Sequence, residues 1–168
     1  MTAAARRIVS FLLGRLIGLV LASAGSATAL RAQEPLGHEV GIGAIGTVAS
    51  RSFIGGGVSF GLRPGGRVRV VAQVAPGVRS DGVFAVRGEL LTHFMLAPGR
   101  ARGVGFYGIG GIAGITGGGS GGYLVLGVGL ESNPAGASGW LLEAGVGGGA
   151  RLAVGWRHRS LHWPRRGG

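Results

Sequence analysis

The sequence predicts an all-β protein: an eight-stranded antiparallel up-and-down transmembrane β-barrel preceded by a cleavable signal peptide. Three observations predict it. Between Glu39 and Arg157, apolar residues alternate with glycine or charged residues in about eight segments. Turn residues divide these segments at lengths of about ten, close to the ~9–11 tilted residues of a strand that crosses a bilayer. In the seven segments whose faces can be assigned, no charged residue falls on the apolar side.

Residues 1–32 are read separately. Arg6 and Arg7 precede a mostly apolar run at 8–22, and 23–32 is rich in small residues. That is the order of a secretory signal peptide, with cleavage after Ala29 or after Ala32. The apolar run is short for a membrane helix, which needs ~20 residues, and Arg15 interrupts it. Removing the leader leaves one domain, 33–168, with strands at about 39–157 and a short tail at 158–168. The chain has 17 basic residues, all arginine, and 6 acidic ones; four arginines leave with the leader, so 13 face 6 and the net charge is +7. Nucleic acid is a poor match for this charge, because an exported glycine-rich β chain carries no helical or zinc-finger reader. Rim arginines facing anionic lipid headgroups or lipopolysaccharide phosphates fit better. With no cysteine, the fold uses no disulfide and no thiol chemistry.

Glycine and proline clusters punctuate the strands. The first, 39–49, sets Val40, Ile42, Ala44 and Val48 against Glu39, Ile45 and Thr47. The second, 53–63, sets Ile54, Val58, Phe60 and Leu62 against Ser59 and Arg63, and a turn follows at Pro64. The third, 67–75, sets Val68, Val70, Ala72 and Val74 against Arg67, Arg69 and Gln73. Residues 76–82 form a loop. The fourth, 83–96, sets Phe84, Val86, Leu90, Phe94 and Leu96 against Arg87, Glu89, Leu91, His93 and Met95. The fifth, 104–115, is too rich in glycine and isoleucine for its faces to be told apart, and a bulge is expected near Gly110 and Gly111. The sixth, 123–131, sets Leu124, Leu126, Val128 and Leu130 against Val125 and Glu131. The seventh, 140–147, sets Trp140, Leu142, Ala144 and Val146 against Leu141 and Glu143. The eighth, 150–157, sets Leu152, Val154 and Trp156 against Arg151, Ala153 and Arg157.

Alternation alone fits a soluble barrel too, with the apolar rows inside and the charges wetted. The leader, the lack of any amphipathic helix and the aromatic residues near strand ends favour lipid. Phe53, Phe84, Phe94, Tyr123, Trp140 and Trp156 suit interfacial girdles. In lipid an open sheet edge strands its N–H and C=O groups, so the sheet must close. Eight strands give a barrel that side chains can fill, so no open pore is expected. A polar network inside is expected from Arg67, Arg69, Arg87, Glu89, His93, Glu131, Glu143 and Arg157, because a buried charge needs a partner.

The stretches GGYLVLGVGLE (121–131), WLLEAGV (140–146) and RLAVGW (151–156) carry a family likeness. Through them the chain resembles the small eight-stranded outer-membrane β-barrel proteins of Gram-negative-type bacteria. The resemblance implies export through the periplasm to the outer membrane. It also implies outer-membrane lipid and lipopolysaccharide as partners, contact with the barrel-assembly machinery during insertion, a monomer, and no cofactor. One departure is that such barrels end on an aromatic residue, whereas here a tail runs on past Arg157. A periplasmic N-terminus would put the turns near Pro64, Pro98 and Pro134 on the periplasmic side.

Three motifs bear on chemistry. Gly41 to Gly46 matches a dinucleotide fingerprint in letters, but no helix follows to meet a phosphate. His158 and Ser160 resemble the His-x-Ser element of outer-membrane lipid A deacylases, which implies a serine nucleophile with a histidine base. That family's following asparagine is Leu161 here, and no acid follows Ser160. His158 with His162 is too sparse a set for a metal site. The expected function is a non-enzymatic outer-membrane barrel with a structural or envelope-interaction role. The alternatives are a deacylase-like enzyme using His158 and Ser160, or a secreted soluble barrel that binds an apolar ligand.

Overall fold

The computed structural model describes residues 37–96 and 103–161. The expected leader, the turn around Pro98, and His162 with the rest of the tail lie outside the described residues. Eight strands follow one another: β1 (Gly37–Val48), β2 (Phe53–Gly65), β3 (Val68–Arg79), β4 (Phe84–Met95), β5 (Val104–Thr116), β6 (Gly121–Ser132), β7 (Ser138–Val146) and β8 (Ala150–Leu161). Each pairs antiparallel with its sequence neighbour, and β8 returns to β1, closing the barrel. Closure leaves no strand edge, which is the requirement for backbone in hydrocarbon.

The alternation in the sequence becomes two faces. Outward lie Ile42, Val58, Phe84, Leu124, Val128 and Leu152, among others; Ile42 is 66% exposed and Leu124 76%. Inward lie Glu39, Arg69, Glu89 and Glu131, the last of them fully buried. A water-soluble barrel would have these reversed. The inward apolar side chains form two clusters. One is built from Leu91, Met95, Tyr107, Ile109, Ala113 and Val125; the other from Ile45, Phe53, Ala75, Ala85 and Ile115.

Several expectations are corrected. Phe53 does not join a girdle; it is buried in the interior, and Tyr123 packs beside it. Both precede an inward residue by an even step, so pleat period overrides aromatic character. The fifth strand now has faces: Phe106 and Ile112 point outward, Tyr107, Ile109 and Ile115 inward. It has no bulge, since its pairings with β4 and β6 run without a break. The irregularity falls in β2, between Leu62 and Gly65. β3 does not stop before Pro76 but continues to Arg79. Pro76 pairs with Val86 of β4, while the β2–β3 ladder steps from Gly55↔Gly77 to Val58↔Val74, skipping the stretch in which proline has no N–H to give. β8 likewise runs on to Leu161, so His158 and Ser160 belong to a strand and not to a tail.

Glycine does its work here by omission of a side chain. A Cβ on Gly129 would overlap the Tyr107 ring that lies across from it, and one on Gly105 would overlap Pro134. Both glycines therefore make room for larger groups inside a narrow barrel.

Candidate functional site

The interior is a continuous polar ladder. β4 places Arg87 and Glu89 on its inward face at the period-two spacing, and Arg87 Nε donates to Glu89 Oε1 at 2.7 Å. From β8, Arg151 Nη2 donates to Glu89 Oε2 at 2.7 Å and to Glu143 Oε2 of β7 at 2.9 Å. Tyr107 of β5 donates its hydroxyl to Glu143 Oε1 at 2.8 Å. The Tyr107 ring stacks on His93, with centroids 4.8 Å apart, and Arg69 Cζ lies 5.2 Å from the same ring. Arg69 then continues the ladder. Its Nε lies 3.2 Å from His93 Nδ1, and its Nη1 donates to Glu39 Oε2 at 3.1 Å and Glu131 Oε2 at 2.8 Å. Arginine has no acceptor, so His93 Nδ1 must accept and its proton sits on Nε2, 3.6 Å from Glu143 Oε1.

At the end where β1 begins and β8 finishes, Arg157 Nε donates to Glu131 at 3.2 Å and Arg159 Nε to Glu39 at 2.7 Å. Arg63 lies 3.7 Å from each of Glu39 and Glu131. The same arginines hold the β6–β7 turn, residues 133–137, against the mouth. Arg157 Nη2 donates to the Asn133 carbonyl at 3.0 Å and Arg159 Nη2 to the Pro134 carbonyl at 2.9 Å. Pro134 is fully buried there. At the other end, Arg87 donates to the Gly147 carbonyl at 2.8 Å and Arg79 to the Gly117 carbonyl at 2.8 Å.

Among the described residues, seven arginines (63, 69, 79, 87, 151, 157 and 159) and four glutamates (39, 89, 131 and 143) face inward, a surplus of three positive charges. Turn carbonyls at both mouths accept from the guanidinium groups that the glutamates leave over. Buried ions would otherwise carry a penalty of several kcal/mol each. The outcome is a filled, cross-braced lumen whose two ends are stapled by arginine.

Of the residues expected inside, Arg69, Arg87, Glu89, His93, Glu131, Glu143 and Arg157 lie in this ladder. Arg67 does not: it falls in the turn between β2 and β3 and is exposed, because a turn residue has no inward face to occupy. Arg79 and Arg159 were missed, one assigned to a loop and one to the tail. The pleat, continued past Pro76 and past Arg157, would have found both. Tyr107 was missed because the faces of its strand could not be told from sequence.

His158 and Ser160 both point outward from β8, on the side of Val154 and Trp156. Among the described residues no carboxylate shares that face. The four strand glutamates are buried inside, and Asp81 sits in the β3–β4 turn at the opposite end, accepting from the Val83 amide at 3.2 Å. Among the described residues the pair therefore has no acid to orient the histidine. No group of three or more His, Cys, Asp or Glu side chains among the described residues is arranged to hold a metal ion.

No protein-family model matches the chain, and no curated protein matches it in sequence. Its fold is similar to the crystal structure of the N-terminal β-barrel domain of Pseudomonas aeruginosa OprF, at a TM-score of 0.53 and 17% identity, covering 73% of this chain and 97% of that one. At that identity the likeness establishes the closed eight-stranded barrel, while the arginine ladder is read from this chain alone.

Proposed function

We propose that this protein is a non-enzymatic outer-membrane β-barrel with a structural or envelope-interaction role. The observation that carries the reading is the pairing of apolar rows on the outside with buried, largely paired charges inside. Hydrocarbon is the one solvent in which that arrangement is favourable, since an outward arginine near the bilayer midplane would cost ~2–4 kcal/mol. The likeness to the OprF barrel domain supports the same placement. A lumen packed with ion pairs favours an anchoring or surface-presenting role over passage of solutes. Lipid and lipopolysaccharide are the partners this reading calls for, with delivery through the periplasm and insertion by the assembly machinery as a monomer.

The test is membrane fractionation followed by gel electrophoresis with and without heating. Detergent-dependent extraction and a band that changes mobility on boiling are expected. Recovery from the periplasm without detergent would overturn the reading. The ester-cleaving alternative finds no supporting carboxylate among the described residues, and the soluble alternative would set the outward apolar rows in water with the charges buried inside, so neither is preferred.

A further inference from the structure

The mouth at which β1 ends and β8 begins holds a depression of about 350 Å³. That lies at the low end of the roughly 300–1,000 Å³ typical of small-molecule sites. Ser50 and Arg51 of the β1–β2 turn, Arg79 at the end of β3, Ser120 of the β5–β6 turn and Tyr123 of β6 line it. The lining includes two guanidinium groups and three hydroxyls, and no carboxylate. Asp81, the one acid in the neighbouring turns, is engaged by the Val83 amide.

The two arginines are positioned and are not balanced by acid. Arg51 Nη1 donates to the Gly118 carbonyl at 3.0 Å, and Arg79 Nη1 donates to the Gly117 carbonyl at 2.8 Å. Neutral carbonyls fix the direction of a guanidinium but leave its charge standing. Arg79 is 91% buried, being 9% exposed, and its Nε has no hydrogen-bond partner. The turn that anchors both arginines is shaped by Gly117, Gly118 and Gly119, with φ of 100°, 62° and 116°, a backbone that side-chain-bearing residues rarely adopt. Behind the depression Arg87 and Arg151 are matched by Glu89 and Glu143, so the interior there supplies no spare acid to neutralise Arg51 or Arg79.

We propose that this mouth is a binding site for a phosphate group. Two arginines can fork onto the oxygens of one phosphate, and the hydroxyls of Ser50, Ser120 and Tyr123 can each give one further hydrogen bond. The volume admits a phosphate together with the sugar that bears it. The same chemistry is offered by a lipid headgroup phosphate at the membrane surface and by a soluble phosphate. The site does not depend on the surroundings of the barrel, so it stands or falls apart from the membrane reading.

The test is titration of the refolded full-length chain in non-ionic detergent. The soluble probes are inorganic phosphate and N-acetylglucosamine 1-phosphate, followed by calorimetry. The lipid probe is bisphosphorylated or monophosphorylated lipid A dispersed in the same detergent and titrated by the same calorimetry. Arg51→Gln and Arg79→Gln are compared with Arg67→Gln, whose exposed arginine lies at the other end of the barrel. Loss of a charged hydrogen-bonding group should weaken binding about tenfold or more in the first two variants and leave the third unchanged. Saturable binding of the soluble probes with that pattern assigns a soluble ligand. Saturable binding only of the lipid A probes with that pattern assigns a lipid headgroup. Arg51 is exposed, so its variant tests the site even if the Arg79 variant fails to fold. Equal binding by all three variants, or no saturable binding of any probe, would overturn the proposal.

Discussion

Arg69 of β3 and Glu131 of β6 meet inside the barrel at 2.8 Å, side chains 1% and 0% exposed, from strands separated by two others in the sheet. This contact crosses the lumen, so it braces opposite walls in a way that the backbone ladder cannot. Glu131 also accepts from Arg157, and Arg69 also donates to Glu39. Removing one partner therefore strands several charges together.

Glu131→Leu is expected to destabilise the folded barrel by about 3–5 kcal/mol, because Arg69 and Arg157 are left buried with too little negative charge. Combining it with Arg69→Met should cost less than the two single losses added. Urea titrations of the folded protein in detergent check this. Strict additivity would remove the contact from the account.

Gly129→Ala should cost about 1–3 kcal/mol, since its Cβ would overlap the Tyr107 ring and displace the hydroxyl that Glu143 holds. Gly108→Ala, where a Cβ would meet nothing within 4 Å, is the control and should be nearly neutral. The same denaturation assay compares them, and equal effects would contradict the proposed packing.

These two substitutions also mark how far the sequence reaches. The outward and inward rows of seven strands were legible, because period two is all that a pleat requires. Glu131 could be placed inside, but its contact with Arg69 across the lumen could not, because strand tilt and stagger decide which side chains meet across a barrel. Tyr107 was illegible, since Gly105, Gly108, Gly110 and Gly111 erase the contrast between the faces of β5. Proline misled at Pro76, where it stays within a strand. The β6–β7 turn that closes one mouth was legible as a turn, though not as a plug, because Pro134 is drawn inward by arginines on β2 and β8.

That plug gives a third expectation. In planar bilayers the unmodified protein should pass no steady current. Replacing Arg63, Arg157 and Arg159 together by alanine removes the donors to the carbonyls of Asn133 and Pro134, and stepwise conductance should appear. Steady current through the unmodified barrel would contradict a sealed lumen.

Leu126 is 62% exposed at the middle of β6. Leu126→Arg should lower the stability of the bilayer-inserted protein by ~2–4 kcal/mol. In a water-exposed position the same change would fall within about ±0.5 kcal/mol. Reversible unfolding from phosphatidylcholine vesicles distinguishes the two.

The chain has no cysteine, so single cysteines can be placed along β6 and spin-labelled in vesicles. Collision rates with dissolved oxygen and with a water-soluble nickel chelate are then read at each position. Labels at 124, 126, 128 and 130 should meet oxygen and be shielded from nickel. High nickel access at these positions would contradict the contact between these apolar rows and lipid.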